Sequence, residues 1–180
     1  MLAASGRVEE AVLLLGKLAA TGNGEALFKL AQWRTEGQLL PRDLGLARDL
    51  YRRAGAAGSI GGATAYLAFL CTGVGGPRDW PNGLALLRLL AARDVEARRQ
   101  LDIVEKMSIS GEGDPLSLPK PEILSPQPHA SMIPGLLSAA ECDYLIETAE
   151  PLFWRSLTVD EKTGRQFVNP IRTSEAAAFP

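Results

Sequence analysis

The chain has 180 residues, 46% hydrophobic and 22% charged, with a formal net charge of −2, a composition that fits one globular domain or two small ones and excludes a disordered chain. Residues 1–110 carry 14 Lys/Arg against 11 Asp/Glu, while residues 111–180 carry 5 against 10. The halves differ in character, yet neither holds the concentrated basic stripe of a nucleic-acid surface, so no nucleic-acid partner is expected.

The opening Met1-Leu-Ala-Ala-Ser-Gly-Arg7 runs into Glu9-Glu10 and lacks the uninterrupted apolar core of a secretory signal. The run Ala11 to Leu15 is far too short to cross a bilayer, and no membrane association is expected. Cys71 and Cys142 have no neighbouring cysteine or histidine that would make a metal knuckle, and they read as buried free thiols suited to a reducing compartment. A cytoplasmic location is the expectation that follows.

The first half is self-similar. Gly22, Gly58 and Asp94 fall 36 residues apart, each closing a helix-like segment whose apolar positions recur in register: Ala11, Leu14, Leu15 and Leu18; Ala47, Leu50, Tyr51 and Ala54; Gly83, Leu86, Leu87 and Leu90. Between them lie second helices, Glu25 to Glu36 and Gly62 to Thr72, in which Ala26/Leu30/Ala31 match Ala63/Leu67/Ala68 at an offset of 37. Residues 8–107 are therefore expected to form five or six antiparallel helices in hairpins. Trp33, Tyr51 and Trp80 read as packing residues rather than a ligand cage, and Arg48, Arg52 and Arg53 as a solvated basic face beside Asp49. The Gly73-Val-Gly-Gly-Pro77 segment is a turn, since its proline removes an amide that a phosphate-binding loop needs.

From Ser108 to Pro128 glycines and prolines replace helical periodicity, and residues 108–121 read as a semi-rigid linker. Beyond it, Ile123-Leu124 and Ala130 to Ile133 are candidate strands around a turn-prone stretch, with Pro134-Gly135 a further turn. Ser138-Ala-Ala-Glu141 is a capping box, followed by Cys142, Leu145, Ile146 and Ala149 at i, i+3, i+4 and i+7, a stripe expected to pack on a sheet. Pro151 ends that helix. Phe153 to Val159 reads as a strand, Asp160 to Gly164 as a turn, Arg165 to Val168 as the returning strand, and Asn169-Pro170 as its break.

Two resemblances attach to these segments. Ala26, Leu30, Ala31, Trp33 and Gly37, followed by Asp43, Ala47, Leu50, Tyr51, Ala54 and Gly58, resemble the Sel-one-like subclass of tetratricopeptide-type repeats, which implies an α-solenoid over residues 1–107 that binds protein partners. This resemblance begins in mid-repeat. Pro121 to Ser125, Met132 to Ile146, Asp160 with Gly164, and Ile171-Arg172-Thr173-Ser174 resemble the beginning of the prolyl 4-hydroxylase family of iron(II)/2-oxoglutarate dioxygenases. The fold class implied is α+β: helical repeats, then in residues 122–180 the opening helix and strands of an incomplete double-stranded β-helix (jelly roll). The resemblance implies hydroxylation of prolyl or similar residues of a protein substrate with Fe(II) and 2-oxoglutarate, and it admits ascorbate. It also implies that Arg172 and Ser174 touch substrate in the oxygenase groove. Read from the residues alone, Arg172 could equally pair with Asp160 or Glu175.

The resemblance also sets a requirement for metal ligands, His-x-Asp among them, that can be counted. A non-haem iron oxygenase holds its metal with two histidines and a carboxylate, and this chain has one histidine, His129, between Pro128 and Ala130 rather than in a His-x-Asp arrangement. No metal ligand and no catalytic residue is assigned within residues 1–180, and these residues alone are expected to bind no iron and to be inactive. Two readings remain: a dioxygenase whose ligands lie downstream, or a repeat scaffold carrying a degenerate or truncated oxygenase segment.

Overall fold

The computed structural model describes residues 7–178. The chain divides into two compact units, Met1–Ser117 and Leu118–Pro180.

Six helices make up the first unit: α1 Val8–Ala20, α2 Gly24–Glu36, α3 Leu44–Ala56, α4 Ile60–Thr72, α5 Trp80–Ala91 and α6 Val95–Val104. Each start from α2 onward is fixed by a side-chain cap that accepts from a first-turn amide: Asn23 from Ala26, Asp43 from Leu46, Ser59 from Gly62, Asp79 from Asn82 and Asp94 from Ala97. Gly37 and Gly73 end α2 and α4 in the left-handed region, at φ 76° and 75°, where a Cβ would be strained. Among the described residues, no strand precedes residue 108.

The repeat is 36 residues in both helix types, not 37 in the second. Asn23 and Ser59 cap α2 and α4, and Gly37 and Gly73 close them, each pair 36 apart. The residue equivalent to Ala31 is thus Leu67, which is buried like it, whereas Ala68 is exposed. Matching one alanine to another misaligned the helices by a residue, because the core-facing position had changed from alanine to leucine.

Small residues bring the helices together and large ones fill the spaces left. Ala31, Ala47 and Ala54 are 0% exposed, and together with Leu27, Leu50 and Tyr51 they form the main core. A Cβ on Gly62 would lie 2.5 Å from that of Ala54, so α3 and α4 pack at a separation only glycine permits. Tyr51 stands between Phe28 and Phe69, with ring centroids 5.9 and 5.2 Å away, and its hydroxyl lies 3.3 Å from that of Thr35. Burial pushes the Tyr51 phenol above its ordinary value. A second cluster, Leu67, Leu87, Ala91, Ala97 and Leu101, joins α4, α5 and α6.

Residues 108–117 belong to this first unit rather than to a linker. Ile109 bridges to Pro115, Ser110 N donates to Asp114 O at 2.7 Å, and the Ser110 hydroxyl accepts from the amides of Glu112 and Asp114. Gly113, at φ 78°, lies against the Trp80 ring, and Arg78 pairs with Asp114 at 2.7 Å. Composition alone missed this, because the hairpin is held by Trp80 and Arg78, some thirty residues away in sequence.

The second unit contains β1 Glu122–Pro126, β2 His129–Met132, α7 Ala139–Ala149, a 3-10 turn Glu150–Leu152, β3 Trp154–Arg155, β4 Thr158–Val159, β5 Gln166–Phe167 and β6 Glu175–Ala176. The strands form three separate antiparallel pairs, β1 with β2, β3 with β6 and β4 with β5. The capping box is complete: Ser138 Oγ accepts from Glu141 N, and Glu141 Oε2 accepts from Ser138 N at 2.8 Å. Hydrogen bonds to the Ser138 amide and then to its hydroxyl hold the Glu141 carboxyl below the usual range.

Two expectations are corrected here. Phe153 to Val159 is two short strands with different partners, because Ser156 N donates to Ser174 O at the junction and the chain turns there. The stripe on α7 packs on no sheet; α7 buries no residue, and Ile146 is 55% exposed. The strands of residues 118–178 remain in pairs and form no complete jelly roll. Among the described residues of either unit, no helix is long and apolar enough to cross a membrane.

Candidate functional site

Arg172 and Ser174 come together in the loop that leads into β6. Asn169 and Pro170 open it, with Asn169 Oδ1 accepting from Ile171 N and Asn169 O from Arg172 N, so the chain reverses before Arg172. The Arg172 guanidinium then donates from Nε to Ser174 Oγ at 3.2 Å and from Nη1 to Leu157 O at 3.1 Å. Ser174 O accepts from Ser156 N at 3.0 Å, and Arg155 Nη2 donates to Pro170 O at 3.4 Å. Three contacts thus tie residues 169–174 to the β3–β4 junction, and the Arg172–Ser174 bond closes the loop on itself.

Of the two ion pairs read as alternatives for Arg172, neither forms. Asp160 is occupied by its own turn: its Oδ1 accepts from the Thr163 hydroxyl at 2.8 Å and from the amides of Thr163 and Lys162. The Thr163 side-chain and backbone donors hold its carboxyl below the ordinary aspartate range. Arg172 is exposed, with a full positive charge and Nη2 uncommitted, a geometry that suits a carbonyl or carboxylate arriving from outside.

Two neighbours were not read from the sequence. Ser156 is buried in a unit where nearly everything else is exposed, and the Thr158 hydroxyl is buried with no hydrogen-bond partner. Their only sequence signal was alternation within an assumed single strand. Both lie beside Leu157, whose carbonyl holds Arg172.

The other singled-out residues serve structure. Trp33 and Tyr51 are core, and Trp80 supports the 108–117 hairpin while Arg78 stacks 6.0 Å from its ring centroid. Arg48 donates to the carbonyls of Val74 and Pro77, fixing the glycine-rich turn, and Arg52 and Arg53 share Asp49. Cys71 and Cys142 are free, and burial raises the Cys71 thiol, with Arg78 partly opposing it.

The residues present do not fit an iron centre. His129 is exposed on β2, in register with Pro126, and among the described residues no three His, Cys, Asp or Glu side chains converge. No chemical step is therefore assigned to a metal held by these residues.

What the geometry defines is a helical-repeat unit followed by an α+β unit with a candidate contact loop at Arg172. No family model matches the chain. A stretch of 84 residues, 46% of this chain, is 45% identical to Probable prolyl 4-hydroxylase 10 of Arabidopsis thaliana and covers 29% of that protein. A stretch of 53 residues, 29% of this chain, is 42% identical to Probable prolyl 4-hydroxylase 3 of the same plant and covers 18% of it. The chain thus spans less than a third of the length of these relatives. Among solved structures, it is similar to c5321, a protective antigen present in uropathogenic Escherichia coli strains displaying an SLR fold, at 22% identity and a TM-score of 0.48, over 52% of this chain and 20% of that one.

Proposed function

We propose that residues 1–180 are part of an iron(II)/2-oxoglutarate dioxygenase that hydroxylates prolyl or similar side chains of a protein substrate, with the helical repeats engaging that protein or its carrier. The observation that carries this reading is the 45% identity over 84 residues to a plant prolyl 4-hydroxylase. In it, Arg172 and Ser174 form the edge of the substrate groove, with Arg172 Nη2 donating to a backbone carbonyl of the substrate. The iron ligands and the basic residue for 2-oxoglutarate lie outside these residues, since one histidine cannot supply a two-histidine site. Ascorbate would serve the same enzyme, and the location is cytoplasmic.

Anaerobic Fe(II) titration and succinate release test the reading on two chains, residues 1–180 and the same protein extended downstream of Pro180. The expected result is iron binding and succinate from the extended chain alone, with Arg172→Ala raising KM for the peptide substrate more than it lowers kcat. Stoichiometric iron and succinate from residues 1–180 would overturn the assignment of the ligands. An extended chain silent with a range of peptides would favour the second reading, a repeat scaffold with a non-catalytic oxygenase segment, to which the single exposed histidine also points.

A further inference from the structure

The groove between α3, α4 and α5 has no part in the site at Arg172. Its volume is about 700 Å3, and it is open to solvent; natural ligand clefts are of this size. Small residues bring two of its walls together: a Cβ on Gly55 would sit 3.0 Å from Ala63 Cα, so α3 and α4 are in close contact there. Leu70 lines its floor, and Leu89 stands on its lip 71% exposed, a large apolar side chain with no cover.

The charges around this apolar floor do not balance. Arg52 and Arg93 both line the groove. Asp49 is one carboxylate between two guanidiniums, 2.6 Å from Arg52 and 3.8 Å from Arg53. Arg93 has no acidic partner among the described residues. Asp79 also lines the groove, but its carboxylate is turned into the cap of α5, accepting from the Asn82 backbone at 3.2 Å and from the Asn82 side-chain amide at 2.8 Å. Arg52, Arg53 and Arg93 thus stand against the carboxylates of Asp49 and Asp79, an excess of one positive charge beside exposed apolar surface.

We propose that this groove takes an acidic peptide segment of a partner protein, in which carboxylates flank a large apolar side chain. The carboxylates meet Arg52 and Arg93, where guanidinium forks accept planar acids well, and the apolar side chain covers Leu70 and Leu89. The inference rests on the reading of the repeats as a protein-binding surface and specifies the chemistry of what they bind.

Fluorescence anisotropy of the whole 180-residue chain tests it with three labelled peptides carrying the same Leu-Phe centre, flanked by Asp/Glu, by Asn/Gln or by Lys. The acidic peptide is expected to bind best, and Arg93→Glu to weaken it about tenfold, as removal of a close charge pair does. Its affinity should also fall steeply at about 1 M salt, where the Debye length is roughly 3 Å. Arg93 and Leu89 are exposed, so Arg93→Glu and Leu89→Asp should leave the melt unchanged, and both should weaken the acidic peptide. Equal affinity for all three peptides overturns the acid preference while leaving the repeats as a protein-binding surface. No binding of any peptide at about 1 mM overturns the site itself. Neither outcome touches the hydroxylase reading, which succinate release decides separately.

Discussion

The first unit closes Ala31, Ala47 and Ala54 off from solvent completely, whereas the second, among its described residues, buries no hydrophobic side chain at all. Ile123, Ile146, Trp154, Val159 and Ile171 are all exposed there, Ile171 at 88%. The contrast follows from how each architecture acquires a core. A helical repeat packs each helix on the next one along the chain, so a few hairpins already enclose their alanines and leucines. Strand pairs enclose nothing until a second layer faces them, and a lone two-stranded ribbon is marginal in water. The second unit is therefore ordered by the Ser138–Glu141 box, the Asp160 turn and the hydrogen bonds that tie residues 169–176 to β3 and its junction with β4, without a core beneath them.

Hydrogen exchange offers the largest test of this comparison. Amides of α3 and α4 should be protected up to the global stability, roughly 5 kcal/mol or more, while those of β3 to β6 should open for about 1 kcal/mol or less. Comparable protection in both units would break it. Next in size, Leu27→Ala should lower stability by about 2–5 kcal/mol through the cavity it leaves. Ile146→Ala on α7, by contrast, should fall within about 0.5 kcal/mol. Denaturant midpoints of the two variants decide between them.

Tryptophan at the misaligned alanine pair sharpens the comparison inside the repeats. Ala31→Trp should cost about 1–3 kcal/mol by overpacking. Ala68→Trp should change the melt by no more than about 0.5 kcal/mol, since Ala68 is exposed. Equal effects would restore the 37-residue offset.

The smallest effect is acid fraying of α7. Glu141 has its carboxyl lowered by the Ser138 amide and hydroxyl, so its contribution is fully present above the ordinary glutamate range and is lost as pH falls through the lowered folded value. Ser138→Ala should remove the same contribution at all pH values, about 0.5–2 kcal/mol of helix stability. An NMR titration of the residue 138 amide reads both, and a chemical shift flat through that range would exclude the capping role.

Much of the local structure was legible because its cause lay within a few residues. The capping box at Ser138, the turn from Asp160 to Gly164 and the break at Asn169-Pro170 depend on side chains that bond to their own neighbouring backbone. The meeting of Arg172 with Ser174 was not legible: the residues alone offered Asp160 or Glu175 as partners for Arg172, and Leu157 O and Ser156 N, which hold the loop, lie about fifteen residues upstream.

By itself, then, the sequence determined the helical hairpins, the 36-residue period of their first helices, the change of composition after Ser108 and the shortage of iron ligands, because periodicity and residue counts are properties of the chain. Tertiary structure alone decided that Leu67 rather than Ala68 faces the core, that residues 108–117 fold onto Trp80, that Phe153 to Val159 serves two partners, and that Arg52 and Arg93 share a groove with Leu89. Each of these depends on which distant surface a residue meets. Burial and pairing across tens of residues are set by packing, which no local pattern encodes.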